Sequence, residues 1–358
     1  MTQLQRFQET LSKSDFDAAL ISSGANRRYL CDFDYSDGYI VVGTDKAFLI
    51  TDSRYEEAAR NAVTSFEIVI SEGAMADTVI RVIEQNGYTN IAVEEASLSC
   101  KSFASLKAKL QSERKLASGA SEMLSTQRAI KLPHEIERIK RAQQITDQAF
   151  WHVLSLLSTE MTERDVALEL EFFMRKNGAE AVAFNTIAVS GSASSMPHGV
   201  PSDVKLRQGF LTMDFGAKYK GYCSDMTRTV VIGRADDEMK RLYNTVLSAQ
   251  TAAIEQIKGG MLCRDADGIA RSIIREAGYG DAFSHSLGHG VGIDVHEKPS
   301  LSQKAAEDSR LLPGNVVTVE PGIYLEGKYG CRIEDMIAIN QDGSVYNFTA
   351  SPKNLIEI

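Results

Sequence analysis

Residues 211–228, LTMDFGAKYKGYCSDMTR, decide the fold. The alternating run LTMDF, a Lys-Tyr-Lys-Gly turn and the returning run YCSDMTRTVVI carry the period-two pattern of a β-hairpin. With a four-residue turn at Lys218 to Gly221, position 217 pairs with 222 and Asp214 falls directly opposite Asp225. Side chains so opposed have Cβ atoms about 4.5–5.5 Å apart, where two carboxylates repel. Something positive between them, most simply a metal ion, relieves that repulsion.

A weaker copy of the stretch lies further on, as TVEPGIYLEGKYGCRIEDM at 318–336. Each copy has an acid two residues before a glycine, an aromatic and glycine turn, and a second acid on the return strand. Glu320 and Glu334 are equidistant from Gly327, a residue that tolerates the positive φ of a tight turn, so they too are expected to oppose each other. Two such hairpins predict a pseudo-twofold internal repeat with four carboxylates converging on one cavity, a charge that cannot be buried without cations. Between the hairpins lies HSLGHGVGIDVHEKP at 285–299, with three of the six histidines (His285, His289, His296); His198 precedes the first hairpin in MPHG. His289, between Gly288 and Gly290, is the best ligand candidate. Val291, Ile293 and Val295 alternate with Gly292, Asp294 and His296 and predict a strand. A straight strand would aim His289 and His296 to opposite faces, so the glycines must bend the chain if both face one cavity. Asp294 is left between an outer-shell and a surface role.

A chain of 358 residues is longer than most single domains, and two are expected. The formal charge of −9 argues against nucleic acid or an anionic membrane surface as partner. No run approaches the ~20 apolar residues of a membrane span, and the first residues lack the apolar core of a secretion signal. The five cysteines (31, 100, 223, 263, 331) include no CxxC pair, which speaks against a disulfide framework or a thiolate zinc site; the expected location is the cytoplasm. Short apolar runs (AALIS, YIVVG, AFLIT, FEIVI, NIAVE) alternate with helix-like segments (SRYEEAARNAV, ADTVIRVIEQNG), the pattern of a mixed α/β sheet, over an N-terminal domain assigned to 1–125. The second domain, 126–358, begins with a linker helix at about 134–157 after Pro133, and further helices are expected at 162–177, 236–258 and 264–277. The fold class is α/β, in the α+β sense. His134 and His152 read as structural. CDFDYSDGY, with Asp32, Asp34 and Asp37, reads either as a turn between strands or as an acidic rim for a substrate amine, on this or a neighbouring subunit.

DFG with a second Asp 11 residues on, HSLGHGVGIDVHE, VEPGIY and RIED, in that order, resemble the creatinase/methionine aminopeptidase "pita-bread" superfamily. They are most similar to its Xaa-Pro peptidases, aminopeptidase P and prolidase, of peptidase family M24. The resemblance is strong over 126–358 and looser over 1–120, where SGANRRYL and ITDSRYEEAA carry it. It implies a creatinase-like N-terminal domain that shapes the cleft and forms a homodimer, ahead of a pita-bread catalytic domain. It also implies that Asp214, Asp225, His289, Glu320 and Glu334 ligate two divalent ions: Asp225 and Glu334 bridge both, Asp214 completes one shell, His289 and Glu320 the other. Glu320 would take a proton from water and pass it to the leaving amine. His198 or His296 would hydrogen-bond the scissile carbonyl, with His285 and Arg332 as substrate-side or outer-shell residues. One imidazole and four carboxylates make a hard, oxygen-rich set suited to Mn²⁺, Co²⁺ or Mg²⁺; Mn²⁺ is expected first, with Co²⁺ or Zn²⁺ as alternatives. The implied activity is hydrolysis of the Xaa-Pro bond at the N-terminus of peptides or in dipeptides, by a hydroxide shared between the ions. The partners are then small peptides with proline second. A metal-free creatinase-like C–N hydrolase and an inactive peptide-binding module are the alternatives; both predict missing ligands, and all five are present. Cys223 and Cys331, beside the hairpin acids, read as packing residues.

Overall fold

The computed structural model describes residues 1–358, which divide into two units, Met1–Gln127 and Arg128–Ile358. In the first unit, the five apolar runs of the sequence form strands Ala18–Ile21, Tyr39–Gly43, Ala47–Thr51, Glu67–Ile70 and Asn90–Val93. They make a mixed six-stranded sheet with Lys115–Ser118, an edge strand with no strong apolar signature. Tyr39–Gly43 runs antiparallel to both its neighbours, while the outer pairings are parallel, each needing a helical crossover. The acidic stretch is a loop between helix Gly24–Cys31 and strand Tyr39–Gly43. Buried Arg27 donates to the carbonyls of Tyr35, Ser36 and Gly38, while Asp34 pairs with Arg28 at 3.4 Å and Asp37 with Arg54 at 2.8 Å. It is thus a loop between a helix and a strand, not the turn between two strands that the sequence suggested.

The second unit is built twice over. Helices Pro133–Leu154 and Glu163–Lys176 pack Ile145, Phe150, Val166 and Leu170 against Leu211, Met213, Phe215 and Val230 of the three-stranded sheet Ile187–Ser190, Gly209–Phe215 and Met226–Ile232. Helices Asp237–Gln256 and Cys263–Glu276 pack Leu242, Val246, Ala270 and Ile274 against Val317, Val319 and Ile337 of a five-stranded sheet that includes Val316–Val319 and Asp335–Ile339. All four helices lie within a few residues of their expected spans. The start of Glu163–Lys176 is encoded locally: Thr162 and Asp165 exchange side-chain and backbone hydrogen bonds in a capping box, and Val166, Leu170 and Met174 then bury one face.

The first hairpin differs from its expected register. Tyr219 pairs with Tyr222 and Thr227 with Asp214, so the turn is the two residues Lys220 and Gly221, with φ of 46° and 88°, rather than four. Positive φ at both positions matches the twist of the flanking strands, which favours the shorter turn. Asp214 therefore faces Thr227, not Asp225. The slip is two residues, one side-chain period, so both acids keep the same face and become diagonal neighbours. The second hairpin keeps the expected register: Gly322 pairs with Arg332 and Val319 with Asp335, which leaves Glu320 opposite Glu334 across a turn at Gly327 with φ of 71°.

The strand expected over 291–296 does not form. Strand Gly288–Gly290 ends in a bulge after His289, and the chain bends until strand Glu297–Leu301. Glu297 holds the bend: its side chain is 5% exposed, and a Cβ at Gly292 would lie 2.5 Å from its Oε2. Its carboxylate accepts from Arg128, from Lys131 at 3.1 Å and from the Asp294 amide at 3.1 Å. Asp294 pairs with Arg128 at 2.7 Å and is half exposed, which gives it the surface role. Burial alone would push the Glu297 carboxyl up, but Lys131 and Arg128 outweigh it and hold it below the usual value. A lowered folded value means that the pairing stabilises above about pH 4.3 and is lost as pH falls through the folded value. Glu297→Gln, which leaves Lys131 buried without its anion, should therefore cost about 3–5 kcal/mol at neutral pH. The gap to wild type should narrow on acidification in urea melts; coincident melts at neutral pH would contradict this role.

Candidate active site

The four acids and His289 sit where strands end or break. Asp214 is the penultimate residue of strand Gly209–Phe215, Asp225 precedes Met226–Ile232, Glu320 follows Val316–Val319 and Glu334 precedes Asp335–Ile339. Backbone and side-chain bonds join the two halves there: the Glu334 amide donates to the Thr227 carbonyl at 3.1 Å, and the Thr229 hydroxyl to the Arg332 carbonyl at 2.9 Å. The five side chains, with His198, His285, His296 and Arg332, line one cavity of about 670 Å³. Every site residue singled out in the sequence thus reaches the same space.

Within it, Asp225, His289 and Glu334 offer ligand-type atoms within 4.8 Å of one another. His289 Nε2 lies 3.6 Å from Asp225 Oδ2 and 3.2 Å from Glu320 Oε1. Its Nδ1 lies 3.1 Å from the Gly290 carbonyl, which fixes the ring with Nε2 towards the acids. Glu334 Oε2 accepts from Thr227 at 2.7 Å and Asp214 Oδ2 from Arg332 at 2.6 Å. The other oxygens, Asp214 Oδ1 and Glu334 Oε1, are buried with no hydrogen-bond partner. A buried carboxylate oxygen left so is costly unless a cation takes it.

The titration behaviour agrees. Burial, then Glu334 and Asp214, push the Asp225 carboxyl well above its ordinary value; burial, then Glu320 and Asp214, do the same to Glu334. Burial also raises Asp214 despite Arg332. Only Glu320 is held low, because His289 outweighs its burial. Orphaned oxygens, an aimed imidazole and mutually repelling acids together fit divalent metal ions.

A chain of hydrogen bonds backs the acids. Arg332, which also donates to Thr227 at 2.9 Å, donates to the Tyr324 hydroxyl at 2.6 Å; that hydroxyl lies 3.0 Å from His285 Nε2, whose Nδ1 faces the Ser286 carbonyl at 2.8 Å. Sequence reading missed Tyr324. Its signal was an aromatic whose hydroxyl must find a partner when buried, two residues after Gly322, where a Cβ would lie 2.5 Å from that hydroxyl. His296 packs against His289 with ring centroids 4.3 Å apart. Phe184, Ile187, Val200 and Pro201, which the sequence did not flag, form with Val295 much of the remaining wall. Elsewhere, His152 stacks on Phe173 and bonds Glu169, a structural role. Burial pushes the Cys223 and Cys331 thiols up to about 12, as suits packing residues.

Comparison with known proteins matches residues 137–341 to metallopeptidase family M24 and residues 3–130 to the creatinase/prolidase N-terminal domain. An uncharacterized peptidase, YqhT, of Bacillus subtilis (strain 168) is 42% identical over 99% of both chains. Among solved structures, an Xaa-Pro dipeptidase from Bacillus anthracis superposes with a TM-score of 0.94 at 40% identity, over 99% of both chains. An X-Pro aminopeptidase from Thermotoga maritima MSB8 superposes at 0.90 with 38% identity, over 99% of this chain and 100% of the other. With its cavity of acids between two duplicated halves and a creatinase-type domain ahead of them, the chain belongs to metallopeptidase family M24 and has the pita-bread fold.

Proposed function

We propose that this protein is a dinuclear metal-dependent exopeptidase that hydrolyses the bond between an N-terminal residue and proline. The observation that carries the reading is the convergence of four carboxylates and His289, with two carboxylate oxygens left unpartnered in the cavity. The names of the two structural relatives agree on an Xaa-Pro bond and differ on peptide length. In this reading Asp225 and Glu334 would serve both ions, Asp214 one, and His289 with Glu320 the other. Two such ions, Mn²⁺ first and Co²⁺ or Zn²⁺ as alternatives, supply Lewis acidity that makes water a nucleophile near neutral pH and polarises a carbonyl.

The protein's own groups do the rest. Glu320 accepts the proton lost by water and delivers it to the departing proline nitrogen, which carries no hydrogen in the peptide. Its carboxylate is oriented by Thr318 at 3.2 Å and by His289. His198 and His296, on the cavity wall, donate N–H to the scissile carbonyl as negative charge builds on its oxygen. Arg332 fixes Asp214, and Tyr324 fixes His285, so the polar lining is held before substrate arrives. Phe184, Ile187 and Val295 give apolar surface for the substrate's side chains. The same reading gives the N-terminal region, 1–125, the tasks of shaping the cleft and forming a homodimer, and places the enzyme in the cytoplasm. No helix is long and apolar enough to cross a membrane.

Metal-stripped protein should be inactive on Xaa-Pro and Xaa-Pro-Yaa peptides and should release the N-terminal residue once Mn²⁺ is restored. Failure to cleave either class with any of the three metals would sink the reading. Glu320→Ala should lower kcat by about 10²–10⁴-fold in the same assay, and an unchanged kcat would remove Glu320 as proton carrier.

A further inference from the structure

A fifth buried carboxylate lies outside the cavity and governs part of its wall. Glu163 opens helix Glu163–Lys176 and is 2% exposed. Its Oε1 accepts from the Ser190 amide at 2.8 Å and the Ser190 hydroxyl at 3.0 Å. Its Oε2 accepts from the Ser202 amide at 3.1 Å and the Ser202 hydroxyl at 2.6 Å. The two serines bracket one loop. Ser190 ends strand Ile187–Ser190, and between it and Ser202 the residues Pro197, His198, Gly199, Val200 and Pro201 line the cavity. One side chain thus closes the loop that carries His198. Hydrogen bonds to an ionised carboxylate are of the stronger kind, and the helix N-terminus favours the negative charge there.

The first half of the loop has further support. The Gly330 amide donates to the Ser194 hydroxyl at 3.0 Å, and Arg332 reaches the Pro197 carbonyl at 3.4 Å. Beyond Pro197 the support thins. Gly199 rests on Val189, where a Cβ would lie 2.9 Å from Cγ1, but Val200 is 81% exposed. The chain is caught again at Ser202, by Glu163 and by the Arg164 amide, which donates to the Ser202 carbonyl at 3.0 Å. His198 itself is exposed, and the aim of an exposed side chain follows the path of its backbone. A donor to a developing oxyanion must be held near its working position, because a misplacement of about 1 Å can cost 10²-fold in rate.

We propose that Glu163 is a positioning residue for His198: by holding both ends of the loop 190–202 it sets where the imidazole stands on the cavity wall. The inference rests on the part given to His198 in the Xaa-Pro reading. It is tested by a double-mutant cycle in the Mn²⁺-loaded enzyme with an Xaa-Pro-Yaa peptide. Glu163→Gln keeps the size of the side chain but turns one acceptor into a donor that faces a serine amide and hydroxyl. It should lower kcat by about tenfold or more. In a His198→Ala background the same substitution should change kcat by less than about twofold. Bound Mn²⁺ should stay at the wild-type level, while amide hydrogen exchange should quicken over 196–202 and not over 288–301. Equal losses in the two backgrounds, an unchanged kcat in Glu163→Gln, or loss of Mn²⁺ from it would overturn the inference. Wild-type turnover in His198→Ala would remove His198 from the mechanism and the inference with it, while metal-dependent cleavage still upheld the Xaa-Pro reading. If no Xaa-Pro peptide is cleaved, that reading fails, and unchanged exchange over 196–202 would then overturn the hold of Glu163 on the loop as well. Should Glu163→Gln not fold, Ser202→Ala, which removes only the hydroxyl bond at the far end of the loop, carries the same cycle.

Discussion

Mutual repulsion among four carboxylates in one buried space is the constraint on which the rest of the catalytic unit depends. Two unit charges 4 Å apart interact by about 4 kcal/mol at an effective dielectric of 20, and a domain is stable by only about 5–15 kcal/mol in all. Asp214, Asp225, Glu320 and Glu334 cannot all be charged there without compensation. Arg332 answers Asp214 and His289 answers Glu320, but burial and their neighbours drive Asp225 and Glu334 towards the protonated form. Either protons or metal ions must fill the gap. Because the unpartnered oxygens belong to Asp214 and Glu334, on different halves of the unit, ions would also tie the halves together.

The architecture serves that constraint. Each half supplies a helix pair packed on antiparallel strands, and each places its acids at or next to the ends of those strands. His289 comes from a three-residue strand whose continuation bends sharply and brings His296 back against it. That bend relies on a buried carboxylate, Glu297, filling the space beside Gly292 under clamps from Arg128 and Lys131. Arg332, Tyr324 and His285 form a second ordered layer. The cavity is therefore lined by four carboxylates and by apolar side chains, with Asp214 and His285 held by hydrogen bonds to Arg332 and Tyr324.

Much of this was legible in the sequence because β-structure has a period of two. An error of two residues in the first hairpin exchanged Asp225 for Thr227 as the partner of Asp214 yet left both acids on the correct face. The second hairpin read true because Gly327 marks the turn and the pairing is symmetrical about it. The histidine segment was harder. Alternation of Val291, Ile293 and Val295 mimics a strand, and what prevents one is Glu297, whose clamps lie 166 and 169 residues away and leave no trace in the local pattern. Tyr324 escaped notice for a related reason: its partners Arg332 and His285 meet it only once the hairpin and the histidine loop have folded together. The apolar wall at Phe184, Ile187 and Val200 comes from segments whose composition is ordinary, so only folding reveals it. Roles for the individual ligands came from resemblance rather than from spacing, which shows only that the acids share one face.

The division of labour proposed for Asp225 and Asp214 gives the most direct test of a shared-cation site. Elemental analysis of Mn²⁺-equilibrated and desalted protein should find two ions per chain in the wild type, near zero in Asp225→Asn, and about one in Asp214→Asn, with each variant checked as folded. Two ions retained in Asp225→Asn, or one or none in the wild type, would contradict a site in which both ions hang on the same buried carboxylates.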